Sequence, residues 1–130
     1  ERFIDYVALR RVKEVRDQLL RFLRKFGRVR SLGMATPDER SKAIRKSLTA
    51  GFFFNVAKLK NDGKYYTIRG DQNILVTPSQ SSTFHTHGSY SEYIVFCETH
   101  DGTRGGIELR SVSAIDPRWL RELAPHYWEQ

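Results

Sequence analysis

Lys58, Lys60, Lys64 and Arg69 fall within twelve residues, interleaved with the adjacent pair Tyr65 and Tyr66. Cations at that density neutralise backbone phosphates, and each phosphate contact steepens the salt dependence of binding by releasing a counterion. Aromatic faces among them stack on unpaired bases, worth ~1–3 kcal/mol per base. The chemistry suggested is sequence-tolerant capture of a single nucleic-acid strand. Taken singly, each lysine reads as a hydrated surface charge; the set on one face favours a phosphate ligand. Side chains alternate along a strand, so only one of the two tyrosines can face outward and the other belongs to the core. Tyr65 is the candidate for the outward ring. Arg104, in the last predicted hairpin, is a further candidate contact.

Other chemistries find less support. His85-x-His87 with Cys97-x-x-His100 offers zinc-type ligands, but their spacing matches no standard finger, so no metal is expected. His126 reads as structural or exposed. There is no G-x-x-x-x-G-K-[ST] phosphate loop and no Asp-Glu-Ala-His run, so these residues are not expected to hydrolyse ATP or to hold a cofactor. No serine sits in a G-x-S-x-G elbow, and Asp71, Glu92 and Glu98 show no paired-carboxylate pattern.

The charge distribution agrees with a phosphate-facing surface. The net charge is +7 over 130 residues. Residues 1–30 carry ten Lys/Arg against four Asp/Glu, and residues 38–69 carry eight against three. Residues 70–100 contain no Lys or Arg and three acids. Clustering of this kind is the electrostatic footprint of a nucleic-acid binder, although a solvated face that keeps a domain soluble looks the same. The length suits one domain plus an appended element. No apolar run approaches the ~20 residues of a membrane span. The single cysteine, Cys97, excludes an internal disulfide and fits a reducing compartment. The chain opens in mid-pattern at Glu1, as a piece of something longer would.

These residues need elements to position them. Val12, Val15, Leu19, Phe22 and Phe26 recur at spacings of 3, 4, 3 and 4, which predicts an amphipathic helix over 6–26 stopped by Gly27. Arg21, Arg24 and Lys25 lie off that stripe as solvated charges or RNA contacts. Thr36-Pro37-Asp38-Glu39 gives an N-cap, a proline at the first helical position and a capping-box glutamate. The second helix should run to about Ala50, with Ala43, Ile44 and Leu48 inward. From Phe52 the period changes to two, and Phe52, Phe53 and Phe54 read as core. Asn61-Asp62-Gly63 predicts a hairpin. Strands are expected from Phe52, over 64–69, 73–77, 90–98 and 106–115, with a polar loop over 78–89. Asp116-Pro117 opens a short helix closed by Pro125. The fold class is therefore mainly β with flanking helices: a five-stranded OB-fold-like β-barrel preceded by two helices and followed by a short C-terminal helix. Residues 1–35 form a separate helix plus linker, and residues 36–130 the barrel domain.

At this point the residues resemble a known family. Ala50-Gly51-Phe52-Phe53 followed by Asn55-Val56-Ala57, Gly63-Lys64-Tyr65-Tyr66-Thr67, and Ala114-Ile115-Asp116-Pro117-Arg118-Trp119-Leu120 with Glu122-Leu123-Ala124-Pro125 are similar to motifs in the C-terminal region of DEAH-box RNA helicases. Leu9–Arg11 and Val15–Leu19 resemble the last helix of the helical domain before the barrel. Thr77-Pro78-Ser79 departs from the His-Pro-Ser usual there, and the segment 80–89 is more polar than the family's. The resemblance implies an RNA-binding accessory domain whose parent is an ATP-dependent helicase, with ATP and Mg in the parent's motor domains. It also implies single-stranded RNA, the motor and helical domains and a glycine-patch-type activator as partners, and a nuclear setting in mRNA splicing or ribosome biogenesis. A protein-interaction module is the second reading, because the acidic, Ser/Thr-rich side from Gly70 to His100 suits a basic partner better than phosphate. An independent single-strand-binding protein is a weaker third.

Overall fold

A computed structural model describes residues 5–27, 33, 35–68, 73–80, 91–102 and 105–128. The chain divides into two compact units, Glu1–Ala35 and Thr36–Gln130.

The first unit holds α1, Tyr6–Phe26, capped by Asp5, whose carboxylate accepts from the backbone N–H groups of Val7 and Ala8. Its last turn carries Arg24 and Lys25, which complement the helix dipole. No residue of α1 is buried, and Val12, Val15, Leu19, Phe22 and Phe26 are all exposed. The expected stripe is therefore formed and uncovered. Phe22 and Phe26 touch along it, with ring centroids 4.9 Å apart.

The second unit starts with α2, Pro37–Gly51. The expected capping box is present: Glu39 N–H donates to Thr36 Oγ1 (3.2 Å), and Thr36 N–H donates to Glu39 Oε2 (2.8 Å). Bonding to Thr36, backbone first, holds the Glu39 carboxyl below its usual range. Leu48 packs inward, but Ile44 is exposed, correcting the expected inward set. Thr49 is the buried residue of α2 and returns its hydroxyl to the Arg45 carbonyl.

The strands are β1 Val56–Leu59, β2 Tyr65–Thr67, β3 Leu75–Pro78, β4 Tyr93–Val95, β5 Glu98–Asp101, β6 Ile107–Arg110 and β7 Ser113–Ala114, followed by α3 Arg118–Leu123 and α4 Pro125–Trp128. Seven strands in one mixed sheet replace the five antiparallel strands expected. The first strand begins at Val56 because Asn55 N–H turns back to the Phe52 carbonyl, so Phe52–Asn55 form a turn. Within it Phe52 and Phe53 are half-buried and Phe54 is exposed. The expected 90–98 strand breaks after Val95, and the 106–115 strand breaks at Ser111, whose φ is +53°. Pro125 ends one short helix and opens another, where a single helix was expected.

The strand order is β5-β6-β3-β2-β1-β4-β7, antiparallel except for the parallel β3–β6 pair. β4 and β5 stand five neighbour spacings apart in that order, about 24 Å in a flat sheet. Only Phe96 and Cys97 link them, and that link spans at most about 11 Å. The sheet must therefore curl strongly. Ala57, Tyr65, Val76, Ile94, Phe96 and Leu109 are buried together on one face. On the other, Val56, Val95, Ile115, Trp119 and Leu120 join Leu48, Phe52, Ile68 and Trp128 under the helices. Burying each large side chain contributes roughly 1.5–3 kcal/mol. Arg45 ties α2 to this second cluster, donating to the Ala114 carbonyl (3.1 Å) and lying 5.8 Å from the Trp119 ring centroid.

Candidate nucleic-acid interface

Lys58 occupies the centre of a row across three strands. It pairs with Tyr66 of β2 on one side and Tyr93 of β4 on the other. Residues directly opposite in register share a face, so Tyr66, Lys58 and Tyr93 line up on the helix-bearing side of the sheet. Lys60, two residues beyond Lys58, follows the same parity, and its Nζ lies 4.4 Å from the Tyr66 ring centroid. Lys58 Nζ lies 5.1 Å from the Tyr93 ring centroid. Cations over ring faces at these distances are held electrostatically by the ring quadrupole.

Acidic residues trim the row. Lys58 Nζ is 3.4 Å from Glu92 Oε1, and the Tyr93 hydroxyl, ahead of Glu92, raises the Lys58 pKa. Asp62 accepts from the Tyr66 hydroxyl (2.8 Å) and from the Lys64 backbone N–H (3.1 Å). Those bonds lower the Asp62 pKa and raise that of Tyr66. Asp62 and Glu92 thus offset part of the lysine charge, Glu92 through an exposed ion pair with Lys58 of the kind that contributes little to stability. A polyanion can displace such pairs at small cost. Lys64 lies exposed at the hairpin, where its carbonyl accepts from Lys60 N–H and Gly63 has φ +75°.

Tyr65 corrects the expectation. Its side chain is 3 % exposed and sits in the first cluster, with its hydroxyl donating to the Ser91 carbonyl (2.6 Å). The register places Tyr65 opposite Leu59 and Val76, both on the inner side, so the outward ring is Tyr66. Arg69 and Arg104 lie outside the described residues. Arg21, Arg24 and Lys25 are exposed on α1, in the other unit.

Sequence reasoning passed over Tyr93, Arg118, Arg121 and Trp128, which surround a cleft beside the row. Their signal was slight: two arginines three apart in the helix opened by Asp116-Pro117. His85 and His87 fall outside the described residues, while His100 Nε2 lies 3.2 Å from Glu98 Oε2. Among the described residues no His/Cys/Asp/Glu group is placed to hold a metal, and no helix is long and apolar enough to cross a membrane. Burial, then the neighbouring Glu98, pushes the Cys97 thiol pKa up.

The mixed sheet thus carries cations and rings aligned across its central strands β2, β1 and β4. Residues 44–127 match the family described as the oligonucleotide/oligosaccharide-binding (OB) fold, and the chain belongs to that family. It is similar to the C-terminal region of DEAH-box RNA helicases. It is 33% identical over 131 residues to the probable ATP-dependent RNA helicase DHX35 homolog of Caenorhabditis elegans, covering 99% of this chain and 16% of that protein. It is 32% identical over 134 residues to the probable ATP-dependent RNA helicase DHX35 of Homo sapiens, covering all of this chain and 17% of that one. The chain thus spans about a sixth of the length of these curated relatives.

Proposed function

We propose that residues 36–130 are the RNA-binding accessory domain of an ATP-dependent DEAH-box RNA helicase, and that they hold the backbone of single-stranded RNA during unwinding or ribonucleoprotein remodelling. ATP and Mg act elsewhere in that larger protein. The observation that carries this reading is the row Tyr66–Lys58–Tyr93, flanked by Lys60 and Lys64. It combines phosphate neutralisation with ring faces, the two features that sequence-tolerant single-strand binders use. The curled sheet is, in this reading, the closed barrel of the family. Arg69 and Arg104 extend the interface from neighbouring loops. The uncovered stripe of α1 packs in the parent's helical domain, so residues 1–35 are that domain's last helix and linker. The setting is nuclear, in splicing or ribosome assembly.

A second reading draws on β5, where Glu98 and Asp101 are exposed and acidic. That edge would dock a basic segment such as a glycine-patch-type activator.

Fluorescence anisotropy with labelled decauridylate, across a salt series, tests the first reading. Lys60→Glu with Lys64→Glu should abolish most of the binding. It should also flatten the logarithmic salt slope by about 1.4, at about 0.7 per phosphate contact. Unchanged affinity in the double variant transfers the assignment to partner docking.

A further inference from the structure

The second cluster leaves a cleft of about 370 Å³ between the sheet and the terminal helices. That volume falls within the ~300–1,000 Å³ range of small-ligand sites. Ile68, Pro117 and Leu120 give it apolar walls, Tyr93 and Trp128 give it rings, and Arg118 and Arg121 give it positive charge. Tyr93 belongs both to the cleft and to the Tyr66–Lys58–Tyr93 row, so the two are continuous. Ile68 follows Tyr66 by two residues and therefore faces the same side.

The two arginines differ. Arg118 is clamped by Asp116, with Nη2–Oδ2 at 2.6 Å and Nε 3.0 Å from each carboxylate oxygen. Arg121 lies three residues on, exposed, with no ion pair among the described residues. Its neighbour Glu122 is engaged by Lys46. The cleft thus has one cation already neutralised and one available to an anion.

We propose that this cleft receives a single nucleobase splayed out of the RNA strand lying on the row, with Arg121 holding the adjoining phosphate. The inference rests on the RNA reading above. A base presents two flat apolar faces and is followed along its chain by a negative charge. The cleft answers both demands, since ring and aliphatic walls lie under a cationic rim. Extruded bases of single-stranded RNA are commonly stacked on aromatic side chains in this way. An apolar side chain from an acidic peptide is the competing occupant. It has no need of the continuity between the cleft and the Lys58–Tyr66 row, and that continuity favours the base.

The test uses the isotope-labelled 130-residue chain and NMR titration with four probes: decaadenylate, the same decamer with its central bases removed, ribose 5-phosphate, and an acidic peptide containing one phenylalanine. Decaadenylate should shift the Ile68 methyls, the Trp128 indole N–H and the row residues together. The base-free decamer should shift the row but spare the cleft. Arg121→Glu, an exposed change, should weaken decaadenylate several-fold and affect the base-free decamer less. Equal cleft shifts with the base-free decamer or with ribose 5-phosphate would overturn the base pocket in favour of a bare phosphate site. Row shifts with a silent cleft would overturn the pocket and leave the RNA reading standing. Silence at both would remove both. Cleft shifts with the peptide alone would make the cleft a protein-docking site.

Discussion

Tyr65 and Tyr66 stand back to back on β2: the Tyr65 hydroxyl is bonded inside the sheet to the Ser91 carbonyl, while the Tyr66 hydroxyl is bonded outside it to Asp62. Adjacent residues of one type are therefore divided between the core and the outer side of the sheet. Tyr65→Phe should cost ~1 kcal/mol of unfolding free energy by removing this part-buried hydrogen bond, and should leave RNA affinity unchanged. Tyr66→Ala should do the reverse, weakening binding by ~1–3 kcal/mol with little effect on stability. Urea denaturation and anisotropy on the same two proteins check the division. Equal loss of binding in both would sink it.

Glu92 restrains Lys58 through an exposed ion pair, with Oε1 3.4 Å from Nζ. Replacing it with glutamine removes a charge that repels phosphate and frees Lys58 Nζ for RNA. Glu92→Gln should therefore tighten decauridylate binding, most visibly at low salt where exposed charges are least screened. An affinity that falls would show that Glu92 positions Lys58 productively.

The capping box at Thr36 and Glu39 is exposed and local. Thr36→Ala should lower stability by ~1 kcal/mol, read as a reduced urea midpoint with unchanged slope. RNA binding at 25 °C should be unaffected, because α2 contributes none of the candidate contacts.

Asp116 is held at a pKa of about 2, chiefly by the Arg118 side chain and then by its backbone N–H. Its folded pKa lies below the ordinary value of 3.8, so its contribution is present above about pH 4 and is lost as pH falls through about 2. Between those limits the melting temperature of the native chain should fall more steeply than that of Asp116→Asn. Parallel curves would mean that the Asp116–Arg118 clamp adds nothing to stability in solution.

The legible parts of the fold were those written in contiguous residues. The Thr36 capping box, the α1 stripe and the Asn61-Asp62-Gly63 turn each depend on a few neighbours, and each formed. β5 was hidden because all four of its residues are exposed, which leaves no alternation to read. β7 was hidden because two residues give no period at all. Which of Tyr65 and Tyr66 faces out was likewise undecidable locally: it follows from the pairing with Leu59 and Val76, which no short window contains. The cleft is further still from local signals, since Ile68 and Arg121 meet only after the sheet has curled and α3 has folded over it.

That curl also governs how the molecule behaves in a crowded solution. An open sheet of seven strands would offer two long unpaired rims for another chain to extend. Here one terminal strand is two residues long, and the other carries Glu98, His100 and Asp101 toward water. A second copy approaching either rim finds too little backbone to pair with, or charge to bury. Strand addition by another chain is thereby discouraged at both rims.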